Sequence, residues 1–135
     1  MGTYMLEKSG RSTLKVVIAG SRGITDYNLV EVAIAQSDFS IGEVVSGCAR
    51  GVDKLGELWA IEHGIPVHKF PADWGRFGKS AGIYRNAEMA SYADCAIILW
   101  DGESRGTLDM IDKMRRAGKP CEVYDEFGVA YGTQS

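Results

Sequence analysis

Three short stretches combine glycine with serine and arginine: Gly20-Ser21-Arg22-Gly23, the run SGCARGVD from Ser46 to Asp53, and DGESRGT from Asp101 to Thr107. Glycine lets backbone amides close on an oxygen-rich anion, serine and threonine add hydroxyl donors, and a helix starting at such a loop contributes a partial positive end. Arg22, Arg50 and Arg105 each bring a forked, permanently charged donor set that matches phosphate or carboxylate. The chemistry on offer is anion binding, and phosphate fits it. Any one loop is a weak signal, because tight turns need glycine and rim arginines can simply be solvated; three loops meeting at one edge would be a strong one.

The elements that must position these loops alternate in type. Lys15–Ala19, Ile41–Val45 and Ala96–Trp100 are short, continuous apolar runs, the mark of strands buried on both faces, and Val67–Phe70 and Cys121–Tyr124 read as further strands. Asp26 can cap a helix reaching Gln36; Asp53 can cap one with Leu55, Leu58 and Trp59 on a single stripe. A third helix spans Tyr84–Tyr92. A fourth begins near Thr107 and buries Leu108, Ile111 and Met114. His63-Gly-Ile-Pro66 and Ala117-Gly-Lys-Pro120 both read as helix exits, with glycine in the left-handed conformation and proline to stop the helix. Repeated β-α units of this kind predict a mostly parallel sheet of five strands, or slightly more, with helices on both faces. In such sheets ligands bind beyond the carboxyl ends of the strands, which is where all three loops fall.

The chain of 135 residues suits one α/β domain, which we assign to residues 15–126, between a loosely ordered start (1–14) and a tail (127–135). With 45% apolar and 24% charged residues the balance is globular, and the net charge of -3 gives no general pull toward nucleic acid or acidic membrane. No stretch approaches the roughly 20 apolar residues that cross a bilayer. Cys48, Cys95 and Cys121 are odd in number and in no metal-ligand spacing, which implies reduced thiols and a cytoplasmic setting.

Several residues carry two readings. Asp53 caps its helix, a role worth about 1 kcal/mol that needs no ligand, or contacts the ligand. Arg50 has no local partner and reads as a ligand contact. Trp74, in the long connection Phe70–Gly82, anchors that loop or stacks on a base. Arg85 and Asn86 are read as opening a helix, where a cation opposes the dipole unless an anion accompanies it. Asp101, Glu103 and Asp109 are the acids that could hold a magnesium ion bridging phosphates, but no spacing marks a metal motif, so no metal ligands are assigned. His63 and His68 lack a nucleophile partner, and Cys48 in the glycine loop reads as small-residue packing.

Taken together, Gly20–Arg22, Ser46–Asp53, Phe70–Trp74 (FPADW), Ala81–Met89 (AGIYRNAEM) and Trp100–Ile111 (WDGESRGTLDMI) resemble small stand-alone members of the SLOG superfamily. That superfamily joins the Rossmann-like domain of DNA-processing protein A to the Lonely Guy phosphoribohydrolases. The resemblance covers residues 15 to 124 and implies a single Rossmann-like domain with a nucleotide or nucleotide-derivative site. The residues it gathers there are Gly20, Ser21, Arg22, Ser46, Gly47, Ala49, Arg50, Gly51, Asp53, Trp74, Arg85, Asn86, Asp101, Ser104, Arg105, Gly106 and Thr107.

Members of the superfamily differ in what they do. The hydrolase branch pairs a catalytic arginine with the glutamate of a PGGxGTxxE motif. Arg85 falls on that arginine, Asn86 replaces the following lysine, Met89 matches a methionine, and Gly106 and Thr107 fall on the GT. The glutamate position is Met110, and the nearest acid, Asp109, points about 100° away on a helix. Arg85 and Asp109 are therefore the candidate catalytic pair only if Asp109, or Asp101, replaces the glutamate. Without that acid the resemblance implies a binding module that senses, carries or sequesters a nucleotide-derived signal. Single-stranded DNA binding ranks last, since only 15 basic residues are available to track phosphates. The Lonely Guy resemblance also implies a homodimer or larger assembly, with Trp59, Met89 and Tyr92 as candidate contacts.

Overall fold

The apolar runs form strands β1 (Leu14–Gly20), β2 (Ile41–Ser46), β3 (Val67–Lys69), β4 (Cys95–Leu99) and β5 (Cys121–Tyr124) in a computed structural model that describes residues 13–131. Residues 1–12 of the start and 132–135 of the tail lie outside the described residues. All strand pairs are parallel, in the order β3-β2-β1-β4-β5. The chain therefore winds outward from β1 through β3, returns to the centre, and winds the other way, so strand order reverses between β1 and β4.

Five helices lie between the strands: α1 (Tyr27–Gln36), α2 (Val52–Glu62), α3 (Trp74–Phe77), α4 (Ala81–Tyr92) and α5 (Arg105–Arg116). Successive side chains of a strand point to opposite faces, and β1 divides accordingly. Val16 and Ile18 join Val30 and Ala33 of α1 and Val52 and Ala60 of α2 in one core. Val17 and Ala19 join Met89 of α4 and Met110, Ile111 and Met114 of α5 in the other. The domain is thus a single Rossmann-like α/β unit with helices on both faces, as its alternating pattern predicts.

Local chemistry explains the helix limits. Asp26 caps α1 by accepting from the Asn28 amide at 2.9 Å. The two expected exits hold, with Gly64 and Gly118 at φ 67° and 72°. Other expectations need correction. The buried face of α2 is Val52, Asp53, Gly56, Glu57 and Ala60, and Leu58 is exposed. On α5, Leu108 is exposed while Thr107, Met110, Ile111 and Met114 are buried. Ile111 and Met114 are buried as expected, and Leu55 and Trp59 pack partly buried against the core, so the departures are at Leu58 and Leu108. Residues beyond Glu126 do not simply trail away: Ala130 bridges to Tyr124, and Tyr131 donates from its amide to Val123 O and from its hydroxyl to Trp100 O, at 2.9 and 3.0 Å.

Candidate functional site

The site lies at the carboxyl ends of β1, β2 and β4, beside the reversal of strand order. Ser21 ties two of these loops together. Its amide donates to Leu99 O at 3.0 Å, and its buried Oγ accepts from the Asp101 amide at 3.1 Å. Asp101 in turn accepts from the Glu103 and Ser104 amides, both at 2.9 Å, and these donors hold its carboxyl below the ordinary range. Ser104 then caps α5, its Oγ accepting from the Thr107 amide and sharing a 3.0 Å hydrogen bond with Thr107 Oγ1.

The β2 loop is built more tightly. Ser46 Oγ donates to Glu57 Oε2 at 2.6 Å in the interior and accepts from the half-buried Cys48 amide at 3.0 Å. Cys48 takes φ 67°, the one left-handed non-glycine among the described residues. Gly51, at φ 76°, precedes α2 and rests against the carbonyls of Ser21 and Arg22, where a Cβ would stand 2.7 Å from each. Only glycine suits both its angle and its space.

Arg85 joins this loop to the other side of the sheet. Its Nη1 donates to Gly47 O, and its Nε donates to Asn86 Oδ1 at 2.9 Å. Asn86 Nδ2 donates on to Gly106 O at 3.2 Å and to Asp109 Oδ2 at 3.0 Å, and Asp109 pairs with Lys113 at 2.6 Å. One polar chain therefore runs from the β2 loop through α4 into the first turns of α5.

Two adjacent cavities open here and share Arg22, Ala49 and Arg85 as walls. The inner one adds Gly20, Asp53, Asn86, Ser104, Gly106 and Thr107, with Met89 and Met110 among its apolar lining. The outer one adds Gly47, Arg50 and Trp74, with Cys48, Pro71 and Ala72. The side chains of Arg22 and Arg50 are exposed.

Most of the residues expected at the site therefore line one cavity or the other, while five do not. Ser21, Ser46, Gly51 and Asp101 stand behind the cavities and shape the loops. Arg105 is exposed and lines neither cavity. Asp53 is not a helix cap: α2 starts at Val52 after Gly51, which makes no side-chain cap, and the Asp53 carboxylate instead turns back to accept from the Ala49 amide at 3.2 Å. Burial pushes its carboxyl up to about 6; the Ala49 amide, the Arg85 guanidinium and the Gly20 amide pull it back, while Glu57 pushes it further up.

Arg85 does not open a helix either. A single 3-10 turn (Gly78–Ser80) leads into α4 at Ala81, so Arg85 lies beyond the first turn and finds its partners across the site. Asp101, Glu103 and Asp109 are not gathered into one cluster: no metal-holding group of three such side chains occurs among the described residues. Met89 is 1% exposed and belongs to the core, which removes it as a subunit contact. Glu57 is a site-shaping residue that the sequence reading does not single out; a polar residue four positions after Asp53 on the same helix is the available signal.

Comparisons with known proteins agree with this architecture. Residues 14–77 match the model of the YspA, cpYpsA-related SLOG family, a span holding β1 to β3 and the first two glycine loops. The Gene 61 protein of Mycobacterium phage D29 is 36% identical over 118 residues, covering 78% of this chain and 92% of the phage protein. Among solved structures, DNA processing protein A (DprA) from Streptococcus pneumoniae superposes with a TM-score of 0.63 at 19% identity, over 84% of this chain. This chain spans half the length of that structure, and the likeness is one of fold. No helix among the described residues is long and apolar enough to cross a membrane. With a phage relative matched along nearly its whole length and a family model covering the first two site loops, the chain belongs to the SLOG superfamily.

Proposed function

We propose that this protein binds a nucleotide or nucleotide-derived small molecule across the two cavities, as a sensor, carrier or sequestering module. One observation carries the reading: Arg22 and Arg85 share a cavity with the Ser104–Thr107 turn at the start of α5, so charged and neutral donors surround one space. A phosphate there would meet guanidinium groups and a helix N-terminus together. The outer cavity adds Arg50 and the half-exposed Trp74, a surface on which a base can stack. The reduced state of all three cysteines is in keeping with a cytoplasmic setting.

Hydrolysis of the Lonely Guy kind has less support. Asp109, the acid nearest the motif's glutamate position, is held by Lys113 and Asn86, and Met110 fills that position with a buried thioether. Binding of single-stranded DNA ranks third, on the net charge of -3. Homodimerisation, implied by the resemblance, is part of the same proposal and is read by light scattering of the purified protein.

The experiment is a thermal-shift and calorimetric screen of nucleoside mono-, di- and triphosphates and ADP-ribose, alongside native mass spectrometry of gently purified protein. Binding by at least one of them, weakened by Arg22→Ala, is the expected result. An apo mass with no response across the panel would refute it.

A further inference from the structure

The inner cavity is not lined by donors alone. Asp53 is the one carboxylate among its lining residues, is 5% exposed, and sits one loop away from Arg22 and the Ser104 turn. A carboxylate there repels a phosphate and attracts hydroxyl or amine donors. Its Oδ2 accepts from the Ala49 amide and the Gly20 amide acts on it as well, yet a carboxylate offers about four lone-pair positions. Acceptor capacity beyond these two donors remains, on a residue that lines the cavity. Among the other polar walls Asn86 is bonded at both ends, and Arg22 and the remaining hydroxyl proton of the Ser104–Thr107 pair are donors, not acceptors.

Building on the nucleotide reading above, we propose that Asp53 receives the ribose 2′,3′-diol of the ligand, so that the site selects ribonucleotides and rejects ligands lacking those hydroxyls. The anion then sits by Arg22 and the α5 turn, the sugar by Asp53, and the base in the outer cavity at Trp74. Vicinal hydroxyls suit a carboxylate because each oxygen accepts one, and these charge-assisted bonds are stronger than neutral ones. The division also explains why one acid persists in a basic cavity.

Ionisation of the acid is part of the device. Asp53 faces Arg85 of α4, Glu57 one turn on in α2, and Arg22 of the β1 loop across the cavity, and its carboxyl titrates at about 6. Discrimination by the diol therefore strengthens as pH rises through that value. The ligand's own phosphate titrates near 6 too, but it does so equally with and without the hydroxyls.

The test compares AMP and GMP with their 2′,3′-dideoxy counterparts by calorimetry, on the wild-type chain and on Asp53→Asn. Expected is a preference of about tenfold or more for the ribonucleotide in the wild type, shrinking toward unity in Asp53→Asn and at pH 5. Equal binding of ribo and dideoxy forms by the wild type overturns the diol assignment and leaves the nucleotide reading intact. A preference that survives in folded Asp53→Asn assigns the diol to another residue and likewise overturns it. If neither AMP nor GMP binds, the same comparison is made with the ribo and dideoxy forms of whichever panel nucleotide does; if none of the panel binds, both readings fall, and since the wild-type comparison needs no variant, a folding defect in Asp53→Asn cannot obscure the answer.

Discussion

Arg85 reaches the carbonyl of Gly47, 38 positions earlier in the chain, because residue 47 has no side chain. A Cβ there would stand 2.8 Å from Arg85 Nη1 and 2.9 Å from Asp53 Oδ2. Gly47→Ala should therefore push the guanidinium and the carboxylate apart. We expect a loss of about 1–3 kcal/mol in denaturant unfolding and weaker nucleotide binding. Unchanged affinity would mean that this crossing of β2 loop and α4 does not shape the cavity.

Asp53 carries an electrostatic cost at neutral pH. Its carboxyl lies near 6 in the folded chain against an ordinary value of 3.8, so the folded state holds a proton that the unfolded chain has released. Stability from this group is fully present below pH 3.8 and is lost as pH rises through 6. The difference amounts to roughly 3 kcal/mol at most. Asp53→Asn mimics the protonated form, so it should be more stable than the wild type at pH 8 and draw level with it toward pH 4, read by urea unfolding at each pH. A variant less stable at pH 8 would show that the charge of Asp53 supports the fold through Arg85.

Ser21 offers a test of the junction between β1 and β4. Its buried hydroxyl is the acceptor for the Asp101 amide, and Ser21→Ala leaves that amide without it. A destabilisation of about 1–3 kcal/mol is expected. Protection of the Asp101 amide in hydrogen exchange should fall with it, and an unaltered exchange rate would count against the tie.

Trp74 is 52% exposed, so its removal should cost little stability. If it stacks on a base, Trp74→Ala weakens nucleotide binding by about 1–3 kcal/mol while inorganic phosphate binding is unaffected. Equal effects on both ligands would assign Trp74 to holding the Phe70–Gly82 connection instead.

Met110→Glu restores the acid of the hydrolase motif in sequence only. The side chain is 2% exposed, packed in the core with α4 at the wall of the inner cavity, so a carboxylate placed there loses its water. Unfolding at lower denaturant, by about 3 kcal/mol or more, and no release of base from AMP are expected. Base release by this variant would reopen the hydrolytic reading.

What was legible in the sequence was whatever local chemistry dictates. The apolar runs, the Asp26 cap and the two glycine–proline exits need only their neighbours, and their positions follow directly. The helix faces of α2 and α5 were misjudged at Leu58 and Leu108, because which stripe meets the sheet depends on how the helix is seated. The site was legible as a set of loops but not as a set of contacts. Arg22, Arg50 and Arg105 look alike in sequence, yet α5 begins at residue 105 and leaves that arginine outside the cavities. Asp53 looked like a cap because acids commonly begin helices, and only the turn at Gly51 shows it facing inward.

The return of the chain after β5 has a practical side. Tyr131 holds the Trp100 carbonyl, at the root of the loop that leads to the Ser104 cap, and its ring packs 5.7 Å from the Trp100 ring. Trimming the polypeptide at residue 126 would thus remove a buttress of the ligand cavity, and a fragment chosen for tidy secondary-structure limits would be a poorer binder than a longer one.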